Sequence, residues 1–121
     1  MITSVRSIRV PTRDHHRAVA FWTQKVGLSV ASDQPFEDSP RWVELRLPGA
    51  DTRLVLYTPH PEDRPGPSNA IAFTTDDLDR TYAELKAKGV EFVSPPEHAD
   101  WGASAVFRDP EGNSFVISAP P

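Results

Sequence analysis

Residues 108–118, RDPEGNSFVIS, are the stretch that decides the fold. The run DPEGN combines Asp, Pro, Gly and Asn, which are the residues that form tight turns. The segments on either side, ASAVFR before the turn and NSFVISA after it, have the β-branched and aromatic character of strands. The pattern predicts a β-hairpin that turns at DPEG.

A second hairpin of the same kind lies in the first half of the chain, and the two halves repeat one order of features. The segments WVELRL, PGAD and TRLVLYT correspond to ASAVFR, DPEG and NSFVISA. When the sequence is slid over itself, the run 54–56 (LVL) falls on the run 115–117 (FVI), and one further residue brings Gly27 onto Gly89. An internal repeat of this length indicates one structural unit used twice.

Each half also predicts one helix after a short strand. In the first half the strand is SIRVPT, Asp14 caps the helix and Gly27 ends it; in the second half the strand is AIAFTT, Asp76 or Asp77 is the cap and Gly89 the stop. The buried stripes are Ala18, Phe21, Trp22 and Val26 in the first helix and Leu78, Tyr82 and Leu85 in the second. Each half is therefore expected to be a βαβββ unit.

The composition favours one soluble globular domain and excludes several functions. The chain has 121 residues and a net charge of -4, without a basic stripe for nucleic acid. It has no cysteine, which excludes disulfides, thiolate catalysis and cysteine-based metal sites. It shows no signal peptide and no apolar run of membrane-spanning length. We expect a cytoplasmic protein that binds neither nucleic acid nor membrane.

Together these segments resemble a known family. RDHHRAVAFWTQKVGL, TTDDLDRTYAELKAKGVEF and RDPEGNSFVIS are similar to the vicinal oxygen chelate superfamily, which includes glyoxalase I, extradiol dioxygenases, and fosfomycin- and bleomycin-resistance proteins. The resemblance covers nearly the whole chain. It implies an α+β fold in which two tandem βαβββ modules form curved antiparallel half-barrels. We expect one domain, 1–121, with module one at 1–59, a proline-rich linker at 58–68 and module two at 69–121.

The same resemblance implies where a metal would be bound. Metal-using members supply a ligand, usually His or Glu, from the first and the last strand of each module. The corresponding positions here are Ser7, Val55, Ala70 and Val116. A lone hydroxyl and three aliphatic groups cannot hold a divalent cation. We therefore predict no metal and no other cofactor.

The four histidines allow two interpretations. They could form a displaced metal site, or they could be ordinary structural residues. His15 and His16 open the first helix just after its cap, whereas His60 and His98 lie in segments predicted as proline-rich loops, where polar rings are solvated. The second interpretation is favoured because these positions account for all four histidines without a metal.

Polar and aromatic residues on one face of the strands predict a ligand site. By alternation, Arg9, Trp42, Glu44, Arg46 and Tyr57 lie opposite the apolar residues that pack under the helix. The resemblance implies that this second face is concave and lines a cleft. Its matching positions in the other half are Ala70, Ala72, Thr74, Val116 and Ser118. The alternative is a solvated sheet face on which Glu44 and Arg46 form weak exposed ion pairs.

Trp101 completes the set of candidate ligand-binding residues. It follows the run PPEHAD and precedes Gly102, which predicts a loop. The indole either folds over the cleft as a lid or closes one end of the half-barrel as an apolar plug.

Two functions remain open. One is a metal-independent protein that binds a small molecule, such as an antibiotic or an aromatic metabolite, as bleomycin-resistance proteins do. The other is a glyoxalase-like lyase or isomerase or a dioxygenase-type enzyme, for which the metal ligands are missing but Glu44 could act as a general base. The resemblance also implies a homodimer, because open half-barrels leave strand edges and clefts partly uncovered.

Overall fold

The computed structural model describes residues 1–34, 41–59 and 71–121. Ala70, His60 and residues 60–68 of the expected linker lie outside the described residues. The chain divides into two compact units, Met1–Pro65 and Gly66–Pro121. Each unit contains one four-stranded sheet with helical residues after its first strand, so the α+β class with two βαβββ units is confirmed.

The first unit is built on the strand order β1-β4-β3-β2. Its elements are β1 (Ser7–Pro11), α1 (His15–Ala20), a π-helix (Phe21–Val26), β2 (Ser29–Gln34), β3 (Trp42–Arg46) and β4 (Arg53–Tyr57). The strands β2, β3 and β4 pair antiparallel, whereas β1 runs parallel to β4. The sheet is therefore mixed rather than wholly antiparallel.

The first helical segment changes its winding halfway. The Asp14 side chain accepts a hydrogen bond from the Arg17 amide at 3.1 Å, and Gly27 ends the segment with a φ of 95°. Between them α1 continues into the π-helix instead of forming one uniform α-helix. The Thr23 hydroxyl donates to the Val19 carbonyl at 2.7 Å, a contact that competes with the backbone ladder. Trp22 is fully buried in the core, as predicted.

The second unit repeats the arrangement with the strand order β5-β8-β7-β6. Its elements are β5 (Ala72–Thr74), α2 (Leu78–Ala87), β6 (Glu91–Ala99), β7 (Gly102–Arg108) and β8 (Ser114–Ala119). β5 runs parallel to β8, and the other pairs are antiparallel. Asp77 caps α2, and the buried Leu78 and Leu85 face the same core as a stack of Phe rings.

The turn between β7 and β8 is held by the side chain of Asp109. Its Oδ1 accepts from the backbone amides of Glu111 at 3.0 Å and Asn113 at 2.8 Å, and its Oδ2 accepts from the Asn113 side chain at 2.9 Å. Gly112 has a φ of 88°, which favours glycine. Burial raises the pKa of Asp109, and the hydrogen bonds from Asn113 and Glu111 oppose that rise. The DPEGN run thus forms the predicted hairpin.

The segment before Trp101 is a strand, so its prediction as a loop is wrong. β6 extends to Ala99 and pairs with β7, and residues 100–101 form the tight turn between them. The prolines are tolerated because β6 is an edge strand of its sheet and its register shifts between Ser94 and Glu97, on either side of them. His98 therefore lies on a strand, where its Nε2 is 3.1 Å from Asp79 Oδ1.

Candidate functional site

The candidate site is one face of the first sheet, hereafter the polar face. The register pairs Arg46 with Arg53, Glu44 with Val55, Trp42 with Tyr57, and Arg9 with Val55. Because directly paired residues project from the same side of a sheet, five of the six predicted site residues share this face. The opposite face carries the buried core residues Val10, Val43, Leu45, Leu54 and Leu56.

Trp42, the first residue of β3, is held on the polar face by two charged neighbours. The Arg9 guanidinium lies over the indole, with Cζ 5.1 Å from the ring centroid. On the same strand as the indole, Glu44 Oε2 accepts a hydrogen bond from Trp42 Nε1 at 3.2 Å. A cation above the ring and a carboxylate at its polar edge fix the ring's orientation. The three side chains are therefore one contact group.

Val55 forms the floor between these side chains, and Arg46 and Tyr57 lie at either end. Val55 has 0% exposure although it is on the polar face. Tyr57 is half-buried beside Trp42, its partner across the strands. Arg46 is exposed, and its Nη1 donates to the Val30 carbonyl at 3.3 Å. The polar face therefore offers two aromatic rings and charges of both signs, with the buried Val55 beneath them.

Trp101 belongs to the second unit, at the turn between β6 and β7. It is 63% exposed, which is incompatible with the buried plug that was one of its two interpretations. A two-residue turn between paired strands also leaves no long loop to fold as a lid. Its assignment to a ligand site remains a prediction.

The corresponding face of the second sheet has a different composition. Ala72 pairs with Val116, Thr74 with Ser118, and Ser118 with Ser104 on β7. The same face carries Arg108, which forms an ion pair with its cross-strand partner Glu91 at 3.4 Å. None of these positions carries an aromatic ring, whereas the polar face of the first unit combines aromatic rings with charges.

Comparison with known proteins identifies the family. The model of the Glyoxalase/Bleomycin resistance protein/Dioxygenase superfamily matches residues 4–117. The chain belongs to this superfamily. A relative from Bacillus subtilis (strain 168), the uncharacterized protein YetH, is 36% identical over 118 residues, which cover 97% of this chain and 98% of YetH.

Solved structures of this superfamily share the whole fold. TnmS3, an antibiotic binding protein from Streptomyces sp. CB03234, has a TM-score of 0.89 at 35% identity, covering 99% of this chain and 98% of that chain. A superfamily member from Sphaerobacter thermophilus DSM 20745 has a TM-score of 0.88 at 30% identity, covering 98% of each chain. Similarity over the whole chain thus confirms the fold that was predicted from the sequence.

The metal that this superfamily often uses does not fit these residues. Ser7 on β1 and Val55 on β4 occupy two of the positions where the resemblance places ligands, and Val116 on β8 occupies a third. None offers an imidazole or carboxylate. Within residues 1–34, 41–59 and 71–121, no group of three His, Cys, Asp or Glu side chains could hold a metal ion. The described residues at these positions therefore do not form the metal site that the resemblance implies.

Sequence reasoning missed Arg53, which lies on the polar face directly opposite Arg46. The signal was present, because alternation along RLVLY places residue 53 on the same side as Val55 and Tyr57.

Sequence reasoning placed His15 at the start of the first helix but did not predict its burial, which leaves the residue only 7% exposed. Burial lowers the pKa of His15, the nearby charge of Arg41 adds to that effect, and backbone hydrogen bonding to Leu56 opposes it. His15 therefore belongs to the packing of the first unit and not to the candidate site.

Proposed function

We propose that this protein binds a small organic molecule on the polar face without a metal ion. The observation that carries the proposal is the contact group of Trp42 with Arg9 and Glu44, which presents an oriented indole between a cation and a carboxylate. An indole held in this way offers a large contact area at low entropic cost on binding. The ligand we infer has a planar ring and a polar or anionic group.

Two further observations support this proposal. Val55, at a position where metal-using relatives would place a ligand, is aliphatic and fully buried, so it offers no donor to a metal there. TnmS3, which is 35% identical, is described as an antibiotic binding protein. We infer that the ligand of this chain is an antibiotic or an aromatic metabolite.

The enzymatic alternative has less support. Lyase, isomerase and dioxygenase reactions of the glyoxalase type use a metal as a Lewis acid or to activate oxygen. Ser7, Val55 and Val116 do not supply ligands for such a metal. The carboxylate of Glu44 accepts from Trp42, which gives it a role in positioning the indole. We therefore propose binding rather than catalysis.

A homodimer is part of the proposal. Within their own units, β2 and β6 are edge strands, and the exposed apolar residues Val30 and Val93 lie on them. Exposed apolar side chains on unpaired edges favour burial against a second copy.

In the described part of the chain no helix is long and apolar enough to cross a membrane.

The test is a titration with planar antibiotics and aromatic acids. The protein has three tryptophans, so quenching is measured in the native chain and in Trp101→Phe and Trp42→Phe. We expect quenching to persist in Trp101→Phe and to be lost in Trp42→Phe. Calorimetry then compares affinities: Trp42→Phe and Arg46→Ala should weaken binding by about 1 to 3 kcal/mol.

The control is Arg80→Ala, which removes the same charge from an exposed helix of the second unit. Its affinity should equal that of the native chain. If a compound binds and neither Trp42→Phe nor Arg46→Ala changes its affinity, the polar face is not the binding site.

A further inference from the structure

One row of the polar face runs across all four strands of the first sheet and contains two arginines. Ser7 on β1 pairs with Arg53 on β4, Arg53 pairs with Arg46 on β3, and Arg46 pairs with Ser29 on β2. The row is therefore serine, arginine, arginine, serine. Two guanidinium groups at directly paired positions repel each other and destabilise the sheet unless a negative charge lies between them.

The described part of the protein supplies no carboxylate that is ion-paired with these arginines. Neither Arg46 nor Arg53 forms an ion pair with a described residue; the four ion pairs of the described ranges involve other groups. Glu44, the carboxylate nearest in register on this face, accepts from Trp42 instead. Asp51 lies in the adjoining turn but is not ion-paired with either arginine.

The same two arginines line an open groove of about 570 Å³. Its walls are completed by Gly27, Ser29 and the turn at residues 47–51, which includes the carboxylate of Asp51. A groove of this size admits a small organic acid or a phosphate ester. Guanidinium groups bind the oxygens of carboxylates and phosphates through paired N–H donors, which a lone ammonium group cannot do.

We propose that Arg46 and Arg53 form a binding site for an oxyanion, the carboxylate or phosphate group of a small molecule. The bound anion neutralises the repulsion between the two guanidinium groups, and the hydroxyl of Ser29 lies in the same groove. The proposal deepens the proposed function, since it names the acidic group of a ligand whose ring would lie toward Trp42.

The experiment uses inorganic phosphate and acetate as probes, so it requires no aromatic ligand and can fail independently of the proposed function. Arginine Nε–H signals of the native protein are followed by NMR during titration, with sodium chloride at equal ionic strength as the reference. We expect saturable shifts at Arg46 and Arg53. Preference for phosphate or for acetate tells which class of acid the site takes.

Matched variants test the site itself. Arg46→Gln and Arg53→Gln should each weaken binding of the preferred anion at least tenfold, whereas Arg80→Gln, with the same change in net charge, should leave it unchanged. In chloride, Arg53→Gln should be at least as stable to heat as the native protein, because it removes the repulsion.

Three results would overturn the proposal. They are no shift with either anion beyond that in chloride, equal binding by the native chain and both glutamine variants, and an equal loss in Arg80→Gln. The first result is measured on the native protein. The proposal can therefore be refuted even if a variant fails to fold.

Discussion

The burial of His15 predicts how the free energy of unfolding of this protein changes with pH. The ring is buried at the start of α1, and its Nε2 has no hydrogen-bond partner among the described residues. Burial lowers its pKa below the ordinary value of 6.5, and the positive charge of Arg41 acts in the same direction. Asp33, which pairs with Arg41 at 2.7 Å, partly opposes this effect.

The direction in which the free energy of unfolding changes with pH follows from proton linkage. Below about pH 6.5 the unfolded chain binds a proton at this histidine more readily than the folded chain does. The free energy of unfolding must therefore fall as the pH decreases through this range. One proton limits the slope to about 1.4 kcal/mol per pH unit, so between pH 7 and pH 5.5 the loss is about 1 kcal/mol at most.

Urea unfolding at several pH values between 5.5 and 7.5 measures this slope. We expect His15→Gln to be less stable overall, because it removes buried contacts, but to show a flatter dependence on pH. His16→Gln is the matched control, because His16 is the next residue along the chain and its side chain is exposed. The reasoning is refuted if His15→Gln keeps the native slope, or if His16→Gln removes it.

Three further predictions concern the metal, the assembly and one backbone position. Elemental analysis after dialysis should find no stoichiometric Zn, Fe, Ni or Mn; about one ion per chain would contradict metal-independent binding. Light scattering at micromolar concentrations should give a dimer, and a mass near 13.4 kDa throughout would exclude it. Gly102→Ala should cost about 3 kcal/mol or more in urea unfolding, because Gly102 has a φ of 138° and an added Cβ would collide with the Ala119 carbonyl oxygen. Gly49→Ala, with a φ of 74° but open space, should cost only about 1 to 2 kcal/mol.

Local rules predicted the parts of the fold that depend on neighbouring residues. Asp14 and Asp77 cap the helices through side-chain bonds to amides three residues later, and Gly27 ends the first with positive φ. Alternation along WVELR also gave the correct facing, with Val43 and Leu45 buried. These features need no knowledge of distant residues, so the sequence was sufficient.

The failures have a different physical origin, because they depend on tertiary context. Pro95 and Pro96 predicted a loop, yet an edge strand with a register shift can accommodate them. The first turn of a helix is commonly solvated, and only the packing of the first unit buries His15. Arg53 was overlooked because its importance comes from its partner across the strands, which a single strand does not reveal.

The arrangement of arginines fits the proposed binding of an electron-rich ligand at the position where the resemblance places a metal. Arg9 is paired with Val55, one of the positions at which the resemblance places a metal ligand, and Arg46 and Arg53 lie in the next row of the polar face. Guanidinium charges are permanent and are fixed by the sheet, whereas a metal needs three or four deprotonated ligands to be held. Such a face supplies positive charge for recognition, whereas Ser7, Val55 and Val116 offer no imidazole or carboxylate to a Lewis-acid metal. Binding of an acidic ligand is therefore the function that we propose for it.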